Sequence, residues 1–236
     1  MQNYFLVIDT ETSGLPKKWE VTYATENNWP HVLQIAWIIY DCNGQQIKHE
    51  NHYLKPGNFN ITKASTKVHK LTRDFLLENG EDRLSVFKKF ETDVLTYKPL
   101  IVAHFAELDF CMVGAEYYRL NLPNPLKNTP LFCTLKASAP YVKNPAFKFL
   151  KLNIFYKTLF KKRPENLHNA LVDAELTAEI FFYLLKKGEV TEQIIEEQSK
   201  NIKRPKAELN KLRNLYYIAF IIVLIILVAL YCYETS

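Results

Sequence analysis

The chain has 236 residues, of which 48% are hydrophobic and 23% charged, and a formal net charge of +5. That length suits one domain with a sizeable core plus a short appendage, and so small a net charge makes its distribution more telling than its total. The four cysteines, Cys42, Cys111, Cys133 and Cys232, are scattered without a Cys-x-x-Cys pair, which speaks against a cysteine zinc site or a disulfide framework and fits a reducing compartment.

Met1-Gln2-Asn3 leads almost directly into a first strand, leaving no room for a basic leader and an apolar stretch. That strand, Phe5-Leu6-Val7-Ile8, ends in Asp9-Thr10-Glu11-Thr12; the i, i+2 spacing of two acids on a strand points both carboxylates to one side. Residues Val32–Asp41 form a second apolar run that enters Asn43-Gly44, a two-residue hairpin signal, so a strand over 46–54 pairs back. Leu84, Phe87, Phe90, Val94 and Leu95 repeat at helical spacing. Leu100–Ala103 reads as a short buried strand, 107–119 as a helix ended by Pro123 and Pro125, and 131–135 as one more strand. Residues 170–187 predict a helix with Asn169 as N-cap and Gly188 just past its end. Strands followed by helices, with one early hairpin, give an α/β fold: a mixed sheet covered by helices.

The C-terminal part differs in kind. Residues 189–214 form a charged connector, partly helical and interrupted at Pro205. Residues 215–233, LYYIAFIIVLIILVALYCY, are nineteen uncharged residues that reach about 28 Å as a helix, near the ~30 Å hydrocarbon thickness. They predict a transmembrane helix, with Tyr216, Tyr217, Tyr231 and Tyr233 at its ends as interfacial aromatics. Lys200, Lys203, Arg204, Lys206, Lys211 and Arg213 precede it against the single acid Glu208, and only Glu234-Thr235-Ser236 follow. The positive-inside bias puts the large domain in the cytosol, as a single-pass protein with a C-terminal anchor. The expected division is a domain at 1–188, the connector at 189–214, the span at 215–233 and a tail at 234–236.

Asp9, Glu11, Asp109, His168 and Asp173 come from three separated segments, and four carboxylates with one histidine suit metal-assisted phosphodiester hydrolysis. His168 precedes Asp173 by five residues, which would splay them on one continuous helix, so His168 belongs in the loop before it. The segments Asp9-Thr10-Glu11-Thr12-Ser13-Gly14, Ala103-His104-Phe105-Ala106-Glu107-Leu108-Asp109 and His168-Asn169-Ala170-Leu171-Val172-Asp173 resemble the three exonuclease motifs of the DEDDh superfamily, which includes polymerase proofreading subunits and ribonuclease T. The resemblance covers roughly the first 185 residues and agrees in motif order and spacing. It departs at Phe105, where the second motif usually carries asparagine.

The resemblance implies a ribonuclease-H-like fold with a five-stranded mixed sheet and a 3′-to-5′ exonuclease that releases 5′-mononucleotides. It also implies two divalent cations, Mg²⁺ with Mn²⁺ as a substitute. Asp9 would bridge both ions, Glu11 and Asp173 complete the first site, Asp109 support the second, and His168 act as general base. Thr10, Thr12, Ser13 and Gly14 are expected at the terminal nucleotide, with Phe105 shaping substrate fit. His104 is assigned no catalytic role.

Residues 143–163 carry seven basic residues and no acid, interleaved with Phe147, Phe149, Phe155, Tyr156 and Phe160. The lysines suit phosphate contact, while Phe149, Leu152, Phe155 and Leu159 share one helical face and so belong to a core. The expected partners are single-stranded DNA or RNA 3′ ends, with DNA slightly preferred, and a lipid bilayer. A homodimer or a membrane partner is left open by the residues. Two other readings stay open: an exoribonuclease of the same fold, and a catalytically silent, membrane-tethered nucleic-acid-binding adaptor.

Overall fold

The computed structural model describes residues 2–202 and Pro205. Its strands are β1 (Tyr4–Thr12), β2 (Val32–Asp41), β3 (Gln46–Tyr53), β4 (Leu100–Ala103) and β5 (Leu131–Cys133). They form one mixed sheet in the order β3-β2-β1-β4-β5. The β1–β2 and β2–β3 pairs are antiparallel, and the β1–β4 and β4–β5 pairs parallel. The hairpin between β2 and β3 closes as expected: the Asp41 carboxylate accepts the backbone N–H groups of Asn43 and Gln45 at 2.9 and 2.8 Å, and Gly44 takes φ 82°. A side chain is strained at such an angle, which a glycine adopts freely.

The helices are α1 (Lys63–His69), α2 (Arg73–Asn79), α3 (Arg83–Tyr97), α4 (Ala106–Arg119), α5 (Thr134–Ala137), α6 (Leu152–Phe160), α7 (Ala170–Lys186) and α8 (Glu192–Lys200). Both faces of the sheet are covered, which explains why the central strands are nearly continuous apolar runs. Leu6 and Ile8 of β1 pack with Phe87 and Phe90 of α3 and Val113 and Tyr117 of α4. Phe5 and Val7, on the opposite face, pack with Phe155 of α6 and Ile180, Phe181 and Leu184 of α7. By that alternation Asp9 and Glu11 fall on the α7 side, and Thr10 on the α4 side.

Several features differ from the sequence expectation. Helices α1 and α2 were not anticipated; each is short and starts at a threonine, Thr62 or Thr72, whose side chain accepts an N–H from the first turn. The strand expected over 131–135 stops at Cys133, because Thr134 turns into α5 with its hydroxyl 3.4 Å from Ala103 O and 2.9 Å from His104 Nδ1. Helix α6 buries Phe155 and Tyr156, while all seven basic residues of 143–163 are exposed.

The folded body reaches beyond the boundary expected at residue 188. Helix α8 lies along the edge of β5, where Gln198 Oε1 accepts the Cys133 N–H at 2.6 Å. Ser199 Oγ accepts the Leu131 N–H at 2.9 Å and donates to Leu131 O at 3.1 Å, so polar side chains stand where a sixth strand would pair. Ile202 is buried in the core on the α3–α4 side. Among the described residues no helix is long and apolar enough to cross a membrane; the span expected at 215–233 lies outside them.

Candidate active site

The C-terminal end of β1 carries the first two acids. Parallel pairing aligns Val7 with Val102, so the same two-residue step beyond that pair reaches Asp9 on β1 and His104 at the end of β4. The chain then turns through Phe105 into α4, whose first turn presents Asp109. Asp109 is bound back to β1 by Thr10, whose hydroxyl donates to Oδ1 at 2.7 Å. The third segment enters from α7, capped by the Asn169 side chain, with Asp173 in its first turn. His168 lies in the preceding loop at φ 65°, its backbone N–H donating to Asp173 Oδ2 at 3.2 Å. One ligand atom each of Glu11, His168 and Asp173 lie within 4.8 Å of one another, the two acids buried and the histidine exposed.

Electrostatics shows how poorly these acids tolerate one another. Burial, then the negative charges of Asp109, Asp173 and Glu11, hold the Asp9 carboxyl well above the usual carboxylate range. Burial and the charges of Asp173 and Asp109 push Glu11 up to about 8. Burial raises Asp109 to about 7 against the opposing hydrogen bond from Thr10, and Asp173 to about 6 against the N–H of His168. Asp173 Oδ1 is in addition buried with no hydrogen-bond partner. Crowded oxygen donors with an unsatisfied buried oxygen fit a hard divalent cation, whose charge would offset the repulsion among these acids.

The residues expected at a terminal nucleotide are largely engaged within the fold. The Thr10 hydroxyl holds Asp109, the Thr12 hydroxyl donates to Gly14 O at 2.7 Å, and Ser13 Oγ accepts the His31 N–H at 2.9 Å. A Cβ at Gly14 would stand 3.3 Å from Thr62 Cγ2, so this glycine admits the start of α1. Phe105 occupies a left-handed conformation, φ 76°, and its ring lies 5.6 Å from that of Trp19. His104 is bonded to Thr134, and burial lowers its imidazole to about 4, consistent with a structural histidine.

Two features escape a reading of the sequence. Leu15, directly after Gly14, is 69% exposed beside a cavity of about 420 Å³ that Ser13, His31 and Phe59 help to line. Gln34 of β2 pairs with Glu11 in the sheet, and its Oε1 accepts the first N–H of α7 from Ala170 at 3.2 Å. The position of Leu15 after the first motif was a usable signal for the former; the latter depends on strand register, which residue types alone do not reveal.

Residues 6–181 match the exonuclease family of the ribonuclease T type. The chain belongs to this exonuclease family. The exonuclease fold is also that of E. coli exonuclease I solved with a dT13 oligonucleotide, with TM-score 0.67 and 17% identity over 80% of this chain and 42% of that one. Product-bound exonuclease I gives 0.65 and 15% over 84% and 46%, and cell-death related nuclease 4 gives 0.60 and 16% over 79% and 65%. The chain thus spans less than half the length of those exonuclease I chains. No curated protein sequence matches it.

Proposed function

We propose that this exonuclease removes 5′-mononucleotides from the 3′ ends of single-stranded nucleic acid, with DNA slightly preferred. One observation carries the reading: Asp9, Glu11, Asp109 and Asp173, from three segments, act on one another at the end of β1, with exposed His168 beside them. Asp9 and Glu11 would hold the cations from the strand, Asp173 from α7 and Asp109 from α4. Two divalent cations, Mg²⁺ or Mn²⁺, when bound supply Lewis acidity toward the phosphodiester and stabilise the departing oxygen. His168, free of the core and reaching solvent, takes the proton of the attacking water. Thr10 keeps Asp109 turned toward Asp9, and the exposed lysines of 143–163 supply phosphate contacts of no sequence preference.

A silent adaptor is disfavoured because all four metal-binding carboxylates are retained. Exoribonuclease activity uses the same residues, and the choice of sugar is a matter for the assay. Residues 215–233 we read as a C-terminal membrane span, supported by nineteen uncharged residues after a basic flank; a full-length protein extracted by salt without detergent would refute it. The activity is tested with the full chain on 5′-labelled DNA and RNA strands, with Mg²⁺, with chelator, and as Asp9→Ala. A metal-dependent ladder lost in the variant is expected, and equal cleavage by Asp9→Ala would overturn the site.

A further inference from the structure

Phenylalanine is a poor residue for the backbone it occupies at position 105. Left-handed φ is tolerated by glycine and asparagine, whereas a bulky residue there is an outlier that costs on the order of a kcal/mol or more and clusters at ligand-binding positions. Phe105 has φ 76°, caps α4 without any side-chain hydrogen bond, and stands four residues before Asp109. Its half-buried ring instead meets the half-buried indole of Trp19 at 5.6 Å and 49°.

Trp19 is held there by its own segment. Asn28, 5% exposed, accepts the Lys18 N–H at 2.8 Å and donates back to Lys18 O at 2.9 Å. Trp29 Nε1 donates to Thr22 O at 2.8 Å, which fixes the chain beyond. An aromatic pair is thus fastened in place at the start of α4, whose first turn carries Asp109, and is preceded by exposed Lys17 and Lys18. Aromatic faces interleaved with cations are the chemistry that holds unpaired bases.

Building on the exonuclease reading, we propose that Trp19 and Phe105 form a stacking step for a nucleobase of the strand being shortened, and so set affinity through the base rather than the phosphate. A half-buried ring fastened before the ligand arrives loses little freedom on binding. Recognition by stacking tolerates any base, since each has a π-face.

The test compares a single-stranded DNA with the same strand made abasic at its 3′ end, using the full chain. The wild type is expected to favour the strand with bases by about tenfold in KM. Trp19→Ala and Phe105→Asn are each expected to lose most of that preference, with the loss in KM rather than kcat. Phe105→Asn also relieves the backbone, so its melting temperature should hold or rise while binding falls, which a merely structural role would not produce. Fluorescence supplies a second readout: Trp29 is 4% exposed and Trp37 fully buried, leaving Trp19 as the accessible indole. The based strand should quench emission with Ca²⁺ present, the abasic strand and Trp19→Phe should not. Retained base preference in both variants, or equal quenching by the two strands, overturns the stacking step while leaving the exonuclease reading intact. Absence of cleavage of any strand by folded wild type overturns the exonuclease reading, and quenching then still decides whether the rings bind a base.

Discussion

Gln34 reaches from β2 to the start of α7, with Nε2 3.4 Å from Asn169 Oδ1 and 2.8 Å from Asn51 Oδ1, while Oε1 accepts the Ala170 N–H at 3.2 Å. Because Gln34 pairs with Glu11 in the sheet, one side chain ties the strand that carries Glu11 to the helix that carries Asp173. Gln34 is 1% exposed and Ala170 fully buried, so the Ala170 N–H it accepts cannot turn to water instead. Gln34→Leu is therefore expected to cost about 1–3 kcal/mol of stability by leaving buried groups unpaired. It should also weaken metal affinity by roughly 10–100-fold, the usual effect of losing an outer partner of a ligand. Calorimetric Mg²⁺ titration checks the second point, and unchanged affinity would show that α7 is placed without Gln34.

The four acids are expected to make the metal-free protein less stable than it could be. Asp9→Asn removes one charge from a buried cluster in which every neighbour opposes it. Without metal the variant should gain about 1 kcal/mol, a melting shift of roughly 2–4 °C for a domain of this size. Adding Mg²⁺ should reverse the order, since only the wild type recovers stability through strong binding. Melting curves with and without Mg²⁺ decide it; a variant less stable than wild type in chelator would mean that Asp9 makes a favourable contact unrelated to metal.

What was legible in the sequence follows from how local its causes are. β1, β2 and the hairpin announce themselves through apolar runs and Asn43-Gly44, and α7 through Asn169 and Gly188, because capping and turns depend on neighbours in the chain. The acids could be gathered from motif order. The left-handed backbone at Phe105 could not, since it arises where β4, α4 and the Trp19 segment meet. Gln34 reads as an ordinary polar residue until register sets it against Glu11. Helices α1 and α2 are short and mostly exposed, so they lack the long apolar stripe that made α3 readable, and only their threonine caps marked them.

Glu116 supplies the clearest dependence on pH away from the active site. It is fully buried in α4, with Arg119 at 2.9 Å, Arg83 at 3.1 Å and His31 at 3.5 Å, and it accepts the Val32 N–H at 3.0 Å. Burial alone would raise its carboxyl, but the Arg83 charge, with His31 and Arg119, holds it down at about 2. A folded pKa below the unfolded 4.5 gives stability that is full above about pH 4.5 and lost as pH falls toward 2. Glu116→Gln is expected to lose about 3–5 kcal/mol at pH 7 by leaving buried arginine charge uncompensated. The gap to wild type should narrow at pH 3, as measured by urea denaturation; a gap of equal size at both values would locate the loss in packing.

Helix α8 is expected to be part of the catalytic body although it follows the last motif. The N–H groups of Leu131 and Cys133 on the edge strand are satisfied by Ser199 and Gln198. Removing them uncovers Leu131-Phe132-Cys133, an apolar edge with unpaired donors that invites pairing between chains. A chain ended at residue 188 should therefore aggregate or melt several degrees lower, while one ended after Ile202, which keeps its buried side chain, should stay monodisperse and cleave with unaltered kcat. The milder change Gln198→Ala with Ser199→Ala keeps the helix and removes only the edge bonds, at about 0.5–1.5 kcal/mol each. Size-exclusion chromatography with melting curves separates the cases. If the chain ended at 188 matches the longer one in both, the edge of β5 is protected by its shortness, and α8 serves only to lead the chain away from the domain.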